Sequence, residues 1–504
     1  MSELPRNIQL EEDLKRLKKM KPWASPRYSF SDVGNGYLFA DFFKHRAHYV
    51  ADRGCWYVYT GKCWECDRGA MLVMSLCKQL THLLCQLAPT IEAEDVRERF
   101  ASHVMRWRTR RTRETLLKEA AEVYPLRMDV FDRNPMLLNC LNGTLDMQEM
   151  ILRPHAAGDF ITRMANVSYD PHADTKPWED FIAAVCETDN VLHPCDMSAD
   201  PETGEIDAAA FAEALEATTG KQAFLQESLG YALTGRTHHE CMYILYGPST
   251  RNGKSTLLET FSALMGTYAA VAMPETLAQQ AFASSRGPSE DVARLAGTRF
   301  VTLSEPDRGM RLSAALIKQL TGNDTVTCRY LHENSFQFRP QFKLFLNTNH
   351  LPAVGDDTLF RSGRLKVLEF TRHFSSTERD ASLKTRLQDP LILSGALLWA
   401  LQGLQRMLDK GYTVPACVLQ AGEEYRLDAD AVGQFIADCL VPCADARMKT
   451  ADVYRAYRAW CEENGFPCEN SAVFRHELAR HGTVKRGRVD RSNPTNILIG
   501  YSFA

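Results

Sequence analysis

The chain has 504 residues, 45% apolar and 24% charged, with a net charge of −4. That length predicts about three domains with sizeable cores, and the balance of charge excludes a globally basic nucleic-acid coat, so any DNA contact must come from local patches. No run of 18 apolar residues occurs and the opening M-S-E-L-P-R is no apolar leader, so the expectation is a cytoplasmic protein without membrane contact. Fifteen cysteines scattered through apparent helices and strands read as reduced thiols, not a disulfide framework.

Residues 1–27 are charged and loosely helical, broken by Pro22 and Pro26. An aromatic, turn-rich stretch follows and ends in W-Y-V-Y-T-G-K-C-W-E-C, a β-hairpin pattern with Thr60-Gly61 at the turn. Its Cys63 and Cys66, with Cys55, invite a zinc reading, but only His45 or His48 stands near as a fourth ligand, and strand cysteines beside tryptophans explain the pattern better. Residues 71–124 read as helices. They contain Met105–Arg113, with five arginines in eight residues around Trp107. Such a run can grip a phosphate backbone, although a solvated helix face balanced by Glu94, Asp95, Glu98 and Glu114 is the favoured account. Strand-and-turn chemistry returns at 136–184, with Asn142-Gly143 as a hairpin turn. Residues 187–209 are acidic and loop-like, and a helix from about 209 leads to the next strand.

That strand opens Y-I-L-Y-G-P-S-T-R-N-G-K-S-T (243–256). An apolar run, a Gly-bearing loop, Lys-Ser-Thr and an amphipathic helix are the parts of a phosphate-binding P-loop. Gly247, Asn252, Gly253, Lys254, Ser255 and Thr256 are the candidate ATP contacts, with Lys254 at the β/γ-phosphates and Ser255 or Thr256 at Mg²⁺. Five residues separate Gly247 from Gly253, one more than the usual four, so the path of Ser249–Asn252 is open. Downstream, the strand Arg299–Leu303 ends at Glu305, where a second Mg²⁺ contact and water-polarising carboxylate belongs. The strand Phe342–Leu346 ends in Asn347-Thr348-Asn349, and Arg361 and Arg364 precede the strand Leu365–Phe370. Thr325–Tyr330 and Ser335–Phe338 read as a hairpin between them.

This ordered set resembles the superfamily 3 helicases, more narrowly the poxvirus-type and phage/plasmid primase-helicase family. The stretches that carry it are G-P-S-T-R-N-G-K-S-T, A-R-L-A-G-T-R-F-V-T-L-S-E-P, F-K-L-F-L-N-T-N-H-L-P and D-T-L-F-R-S-G-R-L-K-V-L-E-F, with L-L-N-C-L-N-G-T-L-D upstream. The resemblance implies an α/β protein with an AAA+ type P-loop ATPase core over 231–410, an α+β N-terminal region over 1–230, and ATP with Mg²⁺ as cofactors. It also implies a homo-oligomeric, usually hexameric ring translocating on single-stranded DNA in phage, plasmid or mobile-element replication. Lys254 and Ser255 match Walker A, Glu305 Walker B, Asn349 the sensor asparagine, and Arg364, with Arg361 second, an arginine finger acting on a neighbouring subunit. The 325–338 hairpin matches the pore hairpin, with Arg329 and His332 as DNA contacts. Ser304 stands where many relatives carry a second acid.

Beyond residue 430 three helices and a basic strand-turn suggest a winged-helix-like domain, 430–504. Thr450 and Ser471 are the expected caps of its second and third helices. Arg475, Arg480, Lys485 and Arg486 lie in its most basic segment and are the candidates for duplex or origin DNA. An ATP-switched DNA-binding or origin-loading factor is the alternative function. Priming is not expected: the acid pair Asp428/Asp430 lies in a linker, and the first 240 residues offer no metal-binding pair of their own.

Overall fold

The computed structural model describes residues 6–187, 208–279, 290–307, 309–331, 335–466, 468–489 and 494–504. Most of the acidic stretch expected as a surface loop lies outside them, as does His332.

Helices α1 (Arg6–Met20) and α2 (Asp32–Phe42) open the chain, the second capped by Ser31, whose hydroxyl accepts the Gly34 N–H. Strands β1 (Ala47–Val50), β2 (Cys55–Tyr59) and β3 (Trp64–Asp67) form an antiparallel sheet, and Gly61 sits in the β2–β3 turn at φ +101°, where a side chain would be strained. Helices α3 (Met71–Leu87), α4 (Glu94–Arg106) and α5 (Arg110–Ala121) share a core with α2 around Leu80, Leu84, Phe100 and Leu116. Trp107 belongs to that core at 1% exposure, so it cannot stack on a base. Arg113 donates to the Trp107 and Arg108 carbonyls at 2.9 and 2.8 Å, and Arg110 pairs with Glu114 at 2.7 Å. Part of the arginine run therefore closes a helix–helix corner.

A three-stranded meander follows: β4 (Leu137–Cys140), β5 (Gly143–Asp146) and β6 (Ile151–Arg153). Cys140 pairs with Gly143, so the turn residues are Leu141-Asn142, one place earlier than expected. Gly143 serves close approach instead, because a Cβ there would stand 2.6 Å from the Arg153 carbonyl oxygen.

Helices α6 (Lys176–Cys186) and α7 (Ala208–Leu233) lead to β7 (Met242–Tyr246), α8 (Lys254–Met265), β8 (Ala269–Val271), the short α9 (Glu290–Ala293) and β9 (Phe300–Ser304). Next come β10 (Arg311–Leu312), α10 (Ala314–Thr321), the hairpin β11 (Val326–Cys328) and β12 (Phe336–Phe338), then β13 (Lys343–Thr348), β14 (Ala353–Val354), α11 (Thr358–Arg361) and β15 (Leu365–Glu369). Five of these strands build a parallel sheet in the order β15-β7-β13-β9-β8. Alternate residues of β7 enter opposite cores: Tyr243 and Leu245 pack with α8 and the long helices, Met242 and Ile244 with the other face. A sheet buried on both faces needs such continuous apolar strands. On one face Tyr243 stacks on Phe345, which meets Phe300, which meets Phe261 of α8, at centroid separations of 4.6, 4.7 and 5.0 Å.

Helices α12 (Leu383–Leu387), α13 (Pro390–Lys410) and α14 (Ala416–Ala429) follow. Met71–Thr90 and Pro390–Lys410 are long and apolar enough by composition to cross a membrane, but about half or more of each window is buried inside the protein (50% and 61%). Gly403 of α13 lies against α7 so closely that a Cβ would be 2.5 Å from the Gln226 carbonyl oxygen.

The last unit runs α15 (Ala431–Cys439), β16 (Leu440–Lys449), α16 (Thr450–Asn464), α17 (Ser471–His481), β17 (Thr483–Gly487) and β18 (Thr495–Phe503), with the antiparallel sheet order β16-β18-β17. Val453, Tyr457, Trp460, Phe474 and Leu478 form its core with Phe435. Asn470, not Ser471, caps α17, its side-chain oxygen accepting the Ala472 and Val473 N–H groups. Lys449 holds the capping position before Thr450, whose hydroxyl donates instead to the Asn496 carbonyl at 3.2 Å. Asp430 caps α15 at 2.8 Å and pairs with His481 at 2.9 Å, a structural role for the linker acid.

Candidate nucleotide-binding site

Strand β7 ends at the carboxyl edge of the parallel sheet, where open α/β sheets bind their ligands. The loop after it is strapped down on both sides. Gly247 N–H donates to the Thr348 carbonyl at 3.2 Å, Phe374 N–H to the Arg251 carbonyl at 2.9 Å, and His373 Nδ1 lies 2.8 Å from the Thr250 carbonyl. The extra residue is absorbed by two devices. Arg251 takes a left-handed conformation at φ +61°, and Asn252, 4% exposed, turns its side chain inward. Its amide donates to the Ser249 carbonyl at 2.8 Å and the Phe370 carbonyl at 3.3 Å, while its oxygen accepts from Lys254 at 3.0 Å. Asn252 thus acts as an internal brace for the loop.

Gly247 and Gly253 are needed for separate reasons. A Cβ on Gly247 would fall 2.2 Å from the Asn252 amide nitrogen and 2.8 Å from the Lys254 ammonium, filling the cradle. Gly253 has φ +81° and backs onto α6, where a Cβ would meet Val185 Cγ1 at 2.3 Å. Helix α8 then starts at Lys254, presenting its unpaired N–H groups to the cradle.

Lys254 is buried, and its ammonium donates to Asn349 Oδ1 at 2.9 Å as well as to Asn252. Burial pulls it down to about 8, and the Glu305 carboxylate opposes that shift. Glu305 follows β9 on the same edge, exposed, with its N–H bonded to the Asn347 carbonyl at 2.9 Å and φ at +54°. A left-handed non-glycine residue carries strain that functional sites often retain. Asn347 Nδ2 donates to Ser255 Oγ at 3.1 Å; Thr256 is half-buried behind it. Asn347 carries no role in the sequence reading, yet the signal was present. Two amides two residues apart, Asn347 near the end of the strand and Asn349 just past it, follow the apolar run Leu344–Leu346.

The residues fit a nucleotide triphosphate with its metal. The cradle has a helix N-terminus, a buried ammonium, a hydroxyl and a carboxylate on one edge, and the buried Ser249 hydroxyl has no partner.

Arg364 stands away from the cradle of its own subunit. It precedes β15, and its carbonyl accepts from Met242 at the start of β7, so it lies at the opposite sheet edge from Gly247. Five strand residues at about 3.3 Å each separate the two edges. Its guanidinium is bonded to Glu240 Oε2 at 2.5 Å and Thr321 Oγ1 at 2.8 Å, and only 15% of the side chain is exposed. Arg361, the second finger candidate, is 67% exposed and pairs with Asp357, the residue before its helix.

Among the proposed DNA contacts, Arg329 follows β11 and is exposed. Arg475, Lys485 and Arg486 are exposed on α17 and β17. Arg480 is exposed too, but it is bonded to Glu477 at 2.5 Å and lines a cleft of about 1000 Å³ between the C-terminal unit and residues 351–361. The Arg311–Glu469 ion pair crosses the same cleft.

The architecture is thus a parallel α/β sheet with a glycine-bearing loop at its carboxyl edge, followed by a helix-and-strand unit. Three family models match in chain order: "D5 N terminal like" over 36–187, a family of unknown function over 245–364, and "Poxvirus D5 protein-like" over 427–498. D5-type family models thus match both the N-terminal region and the C-terminal unit of the chain. It is 26% identical over 370 residues to "Putative helicase L207/L206" of Acanthamoeba polyphaga mimivirus, covering 69% of this chain and 35% of that one. With "Putative helicase 022R" of Frog virus 3 it shares 24% over 428 residues, 74% of this chain and 42% of the other. The chain thus spans well under half the length of these curated relatives. The solved apo C-terminal region of NrS-1 aligns over 90% of this chain and 95% of that one at 8% identity, with a TM-score of 0.43, a likeness too distant to carry an argument.

Proposed function

We propose that the chain is an ATP-hydrolysing DNA helicase of superfamily 3 whose AAA+ type core spans 231–410, between an N-terminal region (1–230) and a winged-helix-like domain (430–504). The observation that carries this is the convergence of Lys254, Ser255, Glu305, Asn347 and Asn349 on one edge of a sheet whose strands, numbered along the chain, run 5-1-4-3-2. Lys254 meets the β/γ-phosphates and leaves Asn349, whose amide then orients the attacking water. Glu305 takes the water's proton. Mg²⁺, held by Ser255 and Glu305, would supply charge neutralisation at the phosphates.

A triphosphate at a sheet edge exposed to a neighbour suits a homo-oligomeric ring, read as hexameric, in which Arg361 of one subunit stabilises transition-state charge in the next. The β11–β12 hairpin, with Arg329, is the proposed grip on single-stranded DNA, and Arg475, Lys485 and Arg486 are the proposed duplex contacts. The reading places the protein in the cytoplasm during replication of a phage, virus or mobile element.

The test is ATP turnover and fork unwinding by wild type and Lys254→Ala, with and without single-stranded DNA. DNA-stimulated turnover with unwinding, both lost in Lys254→Ala, supports the motor. Nucleotide-dependent DNA binding without unwinding would replace it with an ATP-switched loading factor.

A further inference from the structure

The β2–β3 hairpin holds a thiol pair that the nucleotide site does not use. Cys55 on β2 and Cys66 on β3 lie on the same side of the hairpin, diagonal to the Tyr57–Cys66 register pair, with their sulfurs 3.4 Å apart and sharing a hydrogen bond. Cys63, expected to act with Cys66, is elsewhere: it is buried, with its sulfur 3.9 Å from the Thr60 hydroxyl. Three of the candidate zinc ligands are thus not gathered, but two of them are in sulfur–sulfur contact.

The surroundings differentiate the two thiols. Cys55 is buried, whereas Cys66 is exposed. The hydrogen bond from Cys55, with those from Tyr57 and the Arg68 guanidinium, holds Cys66 down to about 6 against the opposing effect of burial, and the same contact pushes Cys55 up. An exposed thiolate is the attacking species in thiol–disulfide exchange, and a neighbouring thiol resolves the product. The sulfurs already stand 3.4 Å apart, and closing them to a bond of about 2.05 Å across this diagonal pair draws the two strands together locally.

We propose that Cys55 and Cys66 form a reversible redox site, oxidised to a disulfide by low-molecular-weight disulfides. The Cys66 thiolate attacks one sulfur of the oxidant, forming a mixed disulfide and releasing one thiolate. Cys55 then loses its proton to that thiolate and attacks Cys66 Sγ, releasing the second half of the oxidant as a thiolate, which takes from solvent the proton that Cys66 had given up. Two protein thiols become one disulfide, and the oxidant leaves as two thiols carrying the two electrons and two protons.

The location gives the bond a consequence. Arg53, just before β2, stands 4.0 Å from the Phe336 ring centroid, and Arg68, just after β3, stands 5.6 Å from that of Tyr330. These rings flank the tip of the β11–β12 hairpin. Linking β2 to β3 removes the thiolate beside Arg68 at the point where the N-terminal region holds that hairpin.

The experiment treats the full chain at pH 7 with oxidised glutathione and maps its thiols by mass spectrometry. Trypsin cleaves after Lys62 and so separates Cys55 from Cys63 and Cys66. A Cys63→Ser background removes the remaining ambiguity. The expected result is a linked 54–62/63–68 peptide pair, formed at least roughly tenfold faster than glutathione adducts at the exposed Cys443 and Cys468, and reversed by dithiothreitol. Cys55→Ser, with an unchanged circular dichroism spectrum, should instead keep glutathione on Cys66. Glutathione persisting on Cys66 in the wild type, or Cys55 linked to Cys63, overturns the proposal.

Discussion

The Lys254 ammonium donates to the Asn349 side-chain oxygen at 2.9 Å, across 95 residues of chain. On the proposed reading, the side chain that would contact phosphate and the one that would orient water hold each other in the nucleotide-free protein. Asn349→Ala should leave ATP affinity within a few-fold and lower turnover about 100-fold, the cost typical of removing one oriented polar group. Isothermal titration with a non-hydrolysable analogue, beside steady-state turnover, separates the two. Equal losses in binding and turnover would make Asn349 a ground-state contact only.

The lowered Lys254 gives binding a defined pH dependence. A lysine at about 8 in the free protein is charged at pH 7 and loses its proton as pH rises through 8, whereas bound phosphate favours the charged form. Analogue affinity should therefore be flat below pH 7.5 and weaken above pH 8, by at most about tenfold per pH unit. Proton uptake on binding at pH 8.5, measured in two buffers of different ionisation enthalpy, is the check. For stability the sign runs the other way. Between pH 8 and the ordinary lysine value the unfolded chain binds the extra proton, so this group's destabilisation is full below pH 8 and is relieved as pH rises. Lys254→Arg should abolish the affinity trend.

The two loop glycines should fail in different ways. A Gly247→Ala methyl enters the cradle beside the Lys254 ammonium and would stand 2.6 Å from the Phe370 carbonyl oxygen, so analogue affinity should fall at least tenfold, beyond any drop in Tm. Gly253→Ala combines a positive φ with a collision at Val185. It should cost roughly 1–3 kcal/mol of stability, visible as a lowered thermal midpoint without nucleotide.

Arg361 and Arg364 offer a similar contrast. Removing the Arg364 guanidinium breaks its bonds to Glu240 and Thr321, although Thr321 keeps its bond to the Ile317 carbonyl and Glu240 is partly solvated, and should cost about 1 kcal/mol. Arg361→Ala should leave Tm unchanged and abolish turnover only in the assembled state. Mixing Arg361→Ala with Lys254→Ala subunits should recover part of the activity at composite interfaces. No recovery, with Arg361→Ala as active as wild type, would remove the trans role.

In the C-terminal unit, Arg475→Ala, Lys485→Ala and Arg486→Ala should each weaken duplex binding and reduce the salt dependence of log K by about 0.9 per lost phosphate contact. Arg480→Ala should leave that slope alone, because its guanidinium faces the cleft with Glu477. Fluorescence anisotropy across a salt series reads both.

Much of the parallel sheet was legible along the chain. Strands β7, β9, β13 and β15 fall within one or two residues of their expected bounds, because each is a short apolar run closed by Gly, Glu or Asn. Strand β8, Ala269–Val271, was missed: three small residues carry no periodic signal. So was β16, whose burial pattern is almost wholly exposed. Capping depended on local geometry, so Asn470 displaced Ser471 by one residue.

The sequence by itself determined which groups the candidate site contains, since Gly247, Gly253, Lys254, Ser255, Glu305 and Asn349 stand at strand ends and loop positions that local pattern exposes. Only the tertiary structure decided who touches whom. Strand β13 inserts between β7 and β9, bringing Asn349 to Lys254 and Asn347 to Ser255, while the fifth loop residue is taken up by the Arg251 backbone and the inward Asn252 amide. Neighbour order in a parallel sheet is set by how the connecting helices cover both faces, which no local spacing encodes. For the same reason the sequence could not tell Arg361 from Arg364: both precede one strand, and only the fold places Glu240 beside the second.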